Sequence, residues 1–425
     1  MQRCRTAGIS GKNTIRGKTH DGRFIASGIS IATDIYNGSN DMKKWLIYGT
    51  VLMLVILWLS PIRIKADQQQ IELDYSTLDF DEVDEMLSEN GSDEMLHNQT
   101  ETKTVGQLLS SVLSGDAEIS WQKVGAAFGN SLLGNIKAYM ELILQVVGLA
   151  LISQFFNILT LHFGEGSAGE VGFLCVYGVM ILVILKSFQI AYDETKNTVE
   201  VIRNLSVYMM PAMAAVAMAG GFPLSSIMQG EALTGGFSLI LMVMKNLFAA
   251  GVLWITVLEI VNCIGRKPVL NQMISLGRSL IEKGVKTMSA LYLLGMGIVG
   301  AVTPSADRMV YKVSNTLLAS VPVVGSAMSG AMDSVLAGSV LIKNGIGAVG
   351  CIVLLCVCLV PVAKLVAFWL IYRLTAAFLA PVADERVTQL LTALGRSTAL
   401  LLGILVAGMI VFTGVVGILI VTLRQ

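Results

Sequence analysis

From residue 139 onward the sequence is a series of apolar runs, at 139–163, 171–192, 205–221, 236–264, 288–302, 346–363, 365–382 and 399–423. Several reach the roughly 20 residues that an α-helix needs to cross the hydrocarbon layer of a bilayer. Over all 425 residues, 54% are hydrophobic and only 14% charged, with a mean hydropathy of +0.69. That balance leaves too little charge to cover a water-soluble domain of this size, so lipid is the expected solvent for most of the chain. The expected fold is all-α, a polytopic helical membrane protein of about seven to nine spans or re-entrant segments. Two runs fit a simple crossing badly. The run 205–221 is short and contains Pro211, which suggests a re-entrant segment, and 236–264 is long and contains Lys245, which suggests two half-spans. Orientation rests on Arg266, Lys267, Arg278, Lys283 and Lys286, which belong on the cytoplasmic side, with Arg424 after the last run pointing the same way. Between 271 and 284 the spacing of Met273, Leu276, Leu280 and Ile281 predicts a cytoplasmic interfacial helix between spans.

The part before the body divides into three. Residues 1–41 hold six Lys and Arg side chains from Arg3 to Arg23 and no sustained apolar period, which predicts disorder or an extension upstream of the true start codon. Residues 42–66 follow the order of a secretory signal: Met42-Lys43-Lys44, the apolar core 45–59, and Ile64-Lys65-Ala66 as a cleavage site ending at Ala66. A retained anchor is the alternative to cleavage, and a long basic n-region is the alternative to a start at Met42. Residues 67–138 open as an acidic arm, with twelve Asp and Glu between Asp67 and Glu101 against the single base Lys103. A flexible spacer outside the cytoplasm is the expectation, cheap to translocate because it lacks Lys and Arg. The periodicity of Val105, Leu108, Leu109, Val112 and Leu113 then predicts an amphipathic helical region at the membrane surface, before the polytopic domain 139–425.

Lys plus Arg and Asp plus Glu are equal at 30 each, so no global charge draws the chain to nucleic acid. The cysteines of the body lie in apolar runs and the polar stretch 67–137 has none, so a disulfide framework is not indicated. Three histidines, far apart, share no ligand spacing with them, and neither a metal nor another cofactor is expected. Gly295, Gly297 and Gly300 spell a dinucleotide fingerprint, yet they sit in an apolar run without a preceding strand and are better explained by close helix packing. No phosphate loop, HExxH or GxSxG pattern is present, so no catalytic residue is proposed and any ATP-driven step belongs to a partner. Cys351, Cys356 and Cys358 read as buried thiols. Ser326, Gly330, Ser334 and Gly338 recur every four residues, a ridge on which another helix could pack closely. Asp333 beside it and Lys343 after it are candidates for a polar interior, the alternative being a solvated hairpin at the interface.

The segment 301–325 (AVTPSADRMVYKVSNTLLASVPVVG), followed by Ala331-Met332-Asp333 and Lys343-Asn344-Gly345, resembles the stage III sporulation protein AE family. The runs 177–192 (YGVMILVILKSFQIAY) and 361–381 (PVAKLVAFWLIYRLTAAFLAP) are similar to it as well, and the likeness covers 42–425. It implies a multi-pass protein of the mother-cell membrane around the forespore, needed for late forespore gene expression. It further implies membership of a secretion or feeding channel between the two cells. The implied partners are other stage III sporulation A-type proteins (an ATPase, a platform protein and ring-forming proteins), together with a forespore-side partner. A free-standing transporter of small molecules and a non-conducting assembly scaffold are the alternatives. N-terminal sequencing of the mature membrane protein is expected to return Asp67. An intact 45–59 core would instead identify a retained anchor, and residues upstream of Met42 would remove the late start.

Overall fold

A computed structural model describes residues 81–89, 104–114, 121–163, 168–219, 223–265, 269–319 and 325–422, all within the unit 52–425. Ala66 and the signal pattern lie outside the described residues. Those described are helical apart from short turns, with no strand among them. In chain order the helices are α1 (Asp81–Glu89), α2 (Val105–Ser114), α3 (Trp121–Ala138), α4 (Met140–Phe163), α5 (Ala168–Ala219), α6 (Pro223–Val243), α7 (Ala249–Ile264), α8 (Asn271–Ala319), α9 (Gly325–Leu379) and α10 (Glu385–Thr422). One π-helical turn, Met244–Phe248, joins α6 to α7 without a break. By length and composition, five helical segments among the described residues are apolar enough to cross a membrane: Met140–Ile158, Val171–Val216, Thr234–Ile264, Asn344–Leu379 and Glu385–Ile420.

The antiparallel pair α9 and α10 forms the centre, and α5 packs along both. Helices α6 to α8 close one side, α4 lies on α5, and α2 and α3 lie on α9. The sharp reversal between α9 and α10 has a local cause. Helix α9 stops at Leu379, where Pro381 cannot continue the ladder, and the Ala383 N–H turns back to the Leu379 carbonyl at 2.7 Å. Asp384 then caps α10, its carboxylate accepting the Arg386 N–H at 2.9 Å. The α7–α8 turn is closed similarly. Asn262 accepts the Leu270 N–H at 2.9 Å through its side-chain oxygen and donates to Asn271 at 2.7 Å.

These contacts define two ends. At one, Asn157 of α4 donates to Asp384 at 3.0 Å, the Tyr177 hydroxyl of α5 approaches the Cys263 carbonyl of α7 at 3.5 Å, and Arg386 lies over the Phe173 ring. At the other, Leu109 and Leu113 of α2 pack on Gly345 of α9, and Val416 and Ile420 of α10 pack on Gly347. Gly345 and Leu379 lie about 51 Å apart along one continuous helix. The C-terminal end of α10 therefore lies with α2, opposite the α7–α8 turn, whereas Arg424 was expected on the side of Arg266 and Lys267. Arg424 itself lies outside the described residues.

Several expectations change in the same way. The runs 171–192 and 205–221 are one helix, α5, which continues through Pro211, and 346–363 and 365–382 share α9 with Pro361 inside it. Packing on both sides holds these helices together where hydropathy alone suggested breaks, so 205–221 is not re-entrant. The 236–264 run is a continuous rod with a π turn at Lys245 rather than two half-spans. The expected interfacial helix at 271–284 runs straight into the 288–302 run as α8, because Ile274 and Ile281 are buried and Phe248 seats against Gly284. Within the acidic stretch, α1 is ordered on α5, with Val83 buried. Asp84 of α1 accepts the Val105 N–H at 2.8 Å at the start of α2. Burial raises the Asp84 pKa, the Val105 hydrogen bond opposes that rise, and Asp81 adds to it.

Gly347 is a position where size decides packing. A Cβ there would meet Met213, Val416 and Ile420 at 3.1 to 3.2 Å, whereas a Cβ at Gly178 meets nothing within 4 Å. Gly347→Leu is expected to destabilise the bundle by about 1–3 kcal/mol through overpacking. Gly178→Ala should leave the melting temperature in detergent unchanged or raise it.

Candidate functional site

The described features most in need of a reason are ionisable side chains on helices otherwise apolar enough for lipid. Charges at such depth are costly and mark functional or assembly positions when they occur. Glu259 of α7 is the most enclosed, its side chain 5% exposed. It forms an ion pair with Arg278 of α8 and accepts a 3.1 Å hydrogen bond from the Ser397 hydroxyl of α10. Arg396, next to Ser397, adds a second positive charge acting on the same carboxylate. One buried anion thus joins three helices that are far apart in sequence.

A second set lies farther from the α9–α10 turn. Glu194 of α5 pairs with Lys364 of α9 at 2.6 Å. One and a half turns along α5, Glu200 binds Lys245 at 2.7 Å with one carboxylate oxygen and its own helix's Arg203 with the other. Lys245 is carried by the π turn, where the extra residue changes the direction in which side chains leave the helix. On α8, Lys286 pairs with Glu282 one turn back. Between the two sets, the Ser187 and Tyr372 hydroxyls share a 2.5 Å hydrogen bond from α5 to α9. Half-buried throughout, the outer pairs form a belt around the bundle, and Glu259 forms a node inside it.

Chemically, this arrangement joins helices. Glu194, Glu200, Glu259 and Glu282 are each engaged with a cation. Removing one partner of such a pair leaves an uncompensated charge in a poorly solvated place, so the pairs make helix register specific even where they add little net stability. Groups of three or more metal-binding side chains are absent among the described residues.

The residues singled out from sequence fall elsewhere. Ser326, Gly330, Asp333, Ser334, Gly338 and Lys343 are on the first turns of α9, and their side chains lie outside the described residues. Their backbone is continuous helix into the 346–363 run. The small-residue contacts that are described come just after it, at Gly345, Gly347 and Gly350. A Cβ at Gly295 or Gly297 of α8 would meet nothing within 4 Å among the described residues, whereas Gly300 is buried. Cys356 and Cys358 are buried and Cys351 half-buried, all as free thiols. Sequence reasoning missed Glu259, Glu194, Glu200, Lys364 and Ser397. The available signal was an ionisable residue inside an apolar run, as in TVLEIVN and PVAKLV; Lys245, Asp333 and Lys343 were singled out on that ground and these residues were not.

The family model described as stage III sporulation protein AE matches residues 103–422. The chain belongs to that family. The match opens just before α2 and closes at the end of α10, so α2, α3 and all the ion pairs lie inside the family region. A curated relative, stage III sporulation protein AE of Bacillus subtilis (strain 168), is 21% identical over 290 residues, covering 68% of this chain and 73% of the relative. No solved structure matches.

Glu259→Ala in this family member is expected to cost about 3–5 kcal/mol of stability, because Arg278 is left without its buried partner. Replacing both, as Glu259→Leu with Arg278→Leu, should cost less than the single change. Unfolding of the purified proteins in detergent measures the difference, and equal losses would remove the pair as a joint between helices.

Proposed function

We propose that this family member is a multi-pass component of the mother-cell membrane around the forespore. There it serves as one part of a secretion or feeding channel that sustains late forespore gene expression. The observation that carries this reading is the engagement of every carboxylate of the belt and node with a cation between or along helices. Such pairing suits a protein that holds helices in register within an assembly, and it leaves none of these four carboxylates poised as an acid or base. The chain is accordingly read as non-enzymatic, with ATP hydrolysis and ring formation supplied by other stage III sporulation A-type proteins and a forespore-side partner. Family membership supports the sporulation role, and the five long apolar helices support the membrane location.

Glu194→Gln and Lys364→Met separate this reading from a free-standing transporter. Each breaks one joint at the half-buried edge of the bundle, where the loss of stability should be mild. At matched protein levels, both variants are expected to lower sporulation efficiency and recovery of ATPase and ring-forming partners from sporulating cells. The purified wild-type chain should move no small solute in liposomes. Solute flux by the chain alone would favour the transporter, and normal sporulation without the chain would overturn the reading.

A further inference from the structure

We infer that the bilayer surrounds only the half of the bundle between the α9–α10 turn and the ion-pair belt. The other half, including the apolar run of α9 before Lys364 and the last turns of α10, projects from the membrane as a helical bundle with a protein-buried core. This rests on the membrane reading above and places the lipid on it.

The long helices are too long for a single crossing. Helix α9 has 55 residues and α5 has 52, about 80 Å each, against roughly 30 Å of hydrocarbon. Only part of each can lie in lipid, and polar groups mark where. One edge carries Asn157 with Asp384, Arg386, and Asn262 with Asn271. The other carries Glu194 with Lys364, Glu200 with Lys245, and Glu282 with Lys286. Between these edges the helices have matching lengths. Tyr139, just before α4, to Asn157, Phe173 to Asp193 on α5, and Lys245 to Ile264 through α7 each span about 27–30 Å, close to the hydrocarbon thickness.

Side-chain exposure agrees with this slab. Large apolar side chains face outward between the two edges on four helices: Leu144 and Phe155 on α4, Val179 and Leu182 on α5, Trp254 on α7, and Phe378 on α9. The residues of the α4 window are 17% buried, those of the α10 window 72%. Among the described residues, α10 exposes no large apolar side chain at all, nor does α9 between Asn344 and Arg373. Their hydrophobicity is satisfied by protein, with α2 and α3 lying on α9. A mainly apolar cavity of about 220 Å³ between α5 and α7, lined by Leu185, Phe188, Leu253 and Val257 and also by Gln189 and Asp193, opens at slab depth, where an acyl chain would fill it. Lys186, exposed two turns below Asp193, is placed to snorkel toward the belt.

The opposite half fits a bilayer poorly. Leu241 and Ile202, neighbours of the belt, meet α10 at Gly408, and from Gly408 to Thr422 is only about 21 Å. Outward-facing residues of α3 at this level include Gln122, Lys123, Asn130 and Lys137, a water-facing set. Among the described residues the exposed large apolar side chains of this half are fewer than those of the slab: Leu133 on α3, Val207 and Met218 on α5, Leu239 and Met242 on α6, and Leu291, Leu294 and Ile298 on α8. Arg266 and Lys267 fall between α7 and α8 in the sequence, which makes the slab edge at Gly265 the cytoplasmic one; Lys286, expected on that side, then lies at the opposite edge, and the projecting half points away from the cytoplasm.

The test uses single cysteines in a full-length Cys4→Ser, Cys175→Ser background, reconstituted in phosphatidylethanolamine and phosphatidylglycerol nanodiscs and treated with a charged maleimide. The positions are exposed in the structure, so only lipid protects them, a thiol in hydrocarbon being unreactive. Ala126→Cys, Val207→Cys and Met218→Cys should label fully. Leu151→Cys, Val179→Cys and Val261→Cys should lose labelling in nanodiscs and regain it after unfolding in denaturant. Protection at Val207 and Met218 with labelling at Leu151 and Val179 would move the bilayer to the other half and overturn this inference alone. Labelling at all six positions would overturn the membrane reading itself.

Discussion

Asp384 is a small joint on which a large part of this fold depends. Its carboxylate caps α10 and receives Asn157 from α4, at the turn where α9 reverses into its partner. With that reversal in place, α9 and α10 lie antiparallel over their whole shared length, and the other long helices have a surface to pack on. The pairing is close where glycines permit it, at Gly347 and Gly350 against Val416, Ile420 and Phe412. Loosening the turn would separate the two most apolar of the five candidate spans among the described residues.

The ion pairs solve a different problem. Apolar contacts between long helices do not fix their relative height, because a helix slid by one turn still meets apolar neighbours. A carboxylate that must find its cation does fix it. Glu259 sets the height of α7 against α8 and α10, Glu194 that of α5 against α9, and Glu200 that of α5 against the π turn at Lys245. Each pair carries a desolvation cost, so the gain is in specificity of register more than in net stability. For a proposed component of a larger assembly, defined register is what presents a reproducible surface to partners.

The proposed placement of lipid gives the two kinds of hydrophobicity separate roles. On α4 the apolar residues face outward and ask for acyl chains; on α10 they face inward and ask for protein. Hydropathy scores both alike. The bundle beyond the belt, carrying α1 to α3, then offers a folded body on the far side of the membrane on which ring-forming partners of the proposed channel could assemble.

Much of this was legible in the sequence. Long apolar runs with few charges can satisfy their backbone only as helices, so the all-helical class followed from composition and period alone. The letters of 301–325 and 361–381 carried the family, and the amphipathic period of Val105, Leu108 and Leu109 located α2. What the sequence could not decide was where one helix ends and which of its residues meet. Pro211 looked like a break and is not, because neighbours on both sides hold α5 together through it, and the runs 346–363 and 365–382 are one helix through Lys364. Glu259 and Arg278 are separated by a turn that brings them face to face, and Ser397 reaches them from a helix more than a hundred residues away. A hydrophobic run records only that its residues avoid water; whether lipid or protein replaces that water depends on what packs beside it, and that is a property of the tertiary structure.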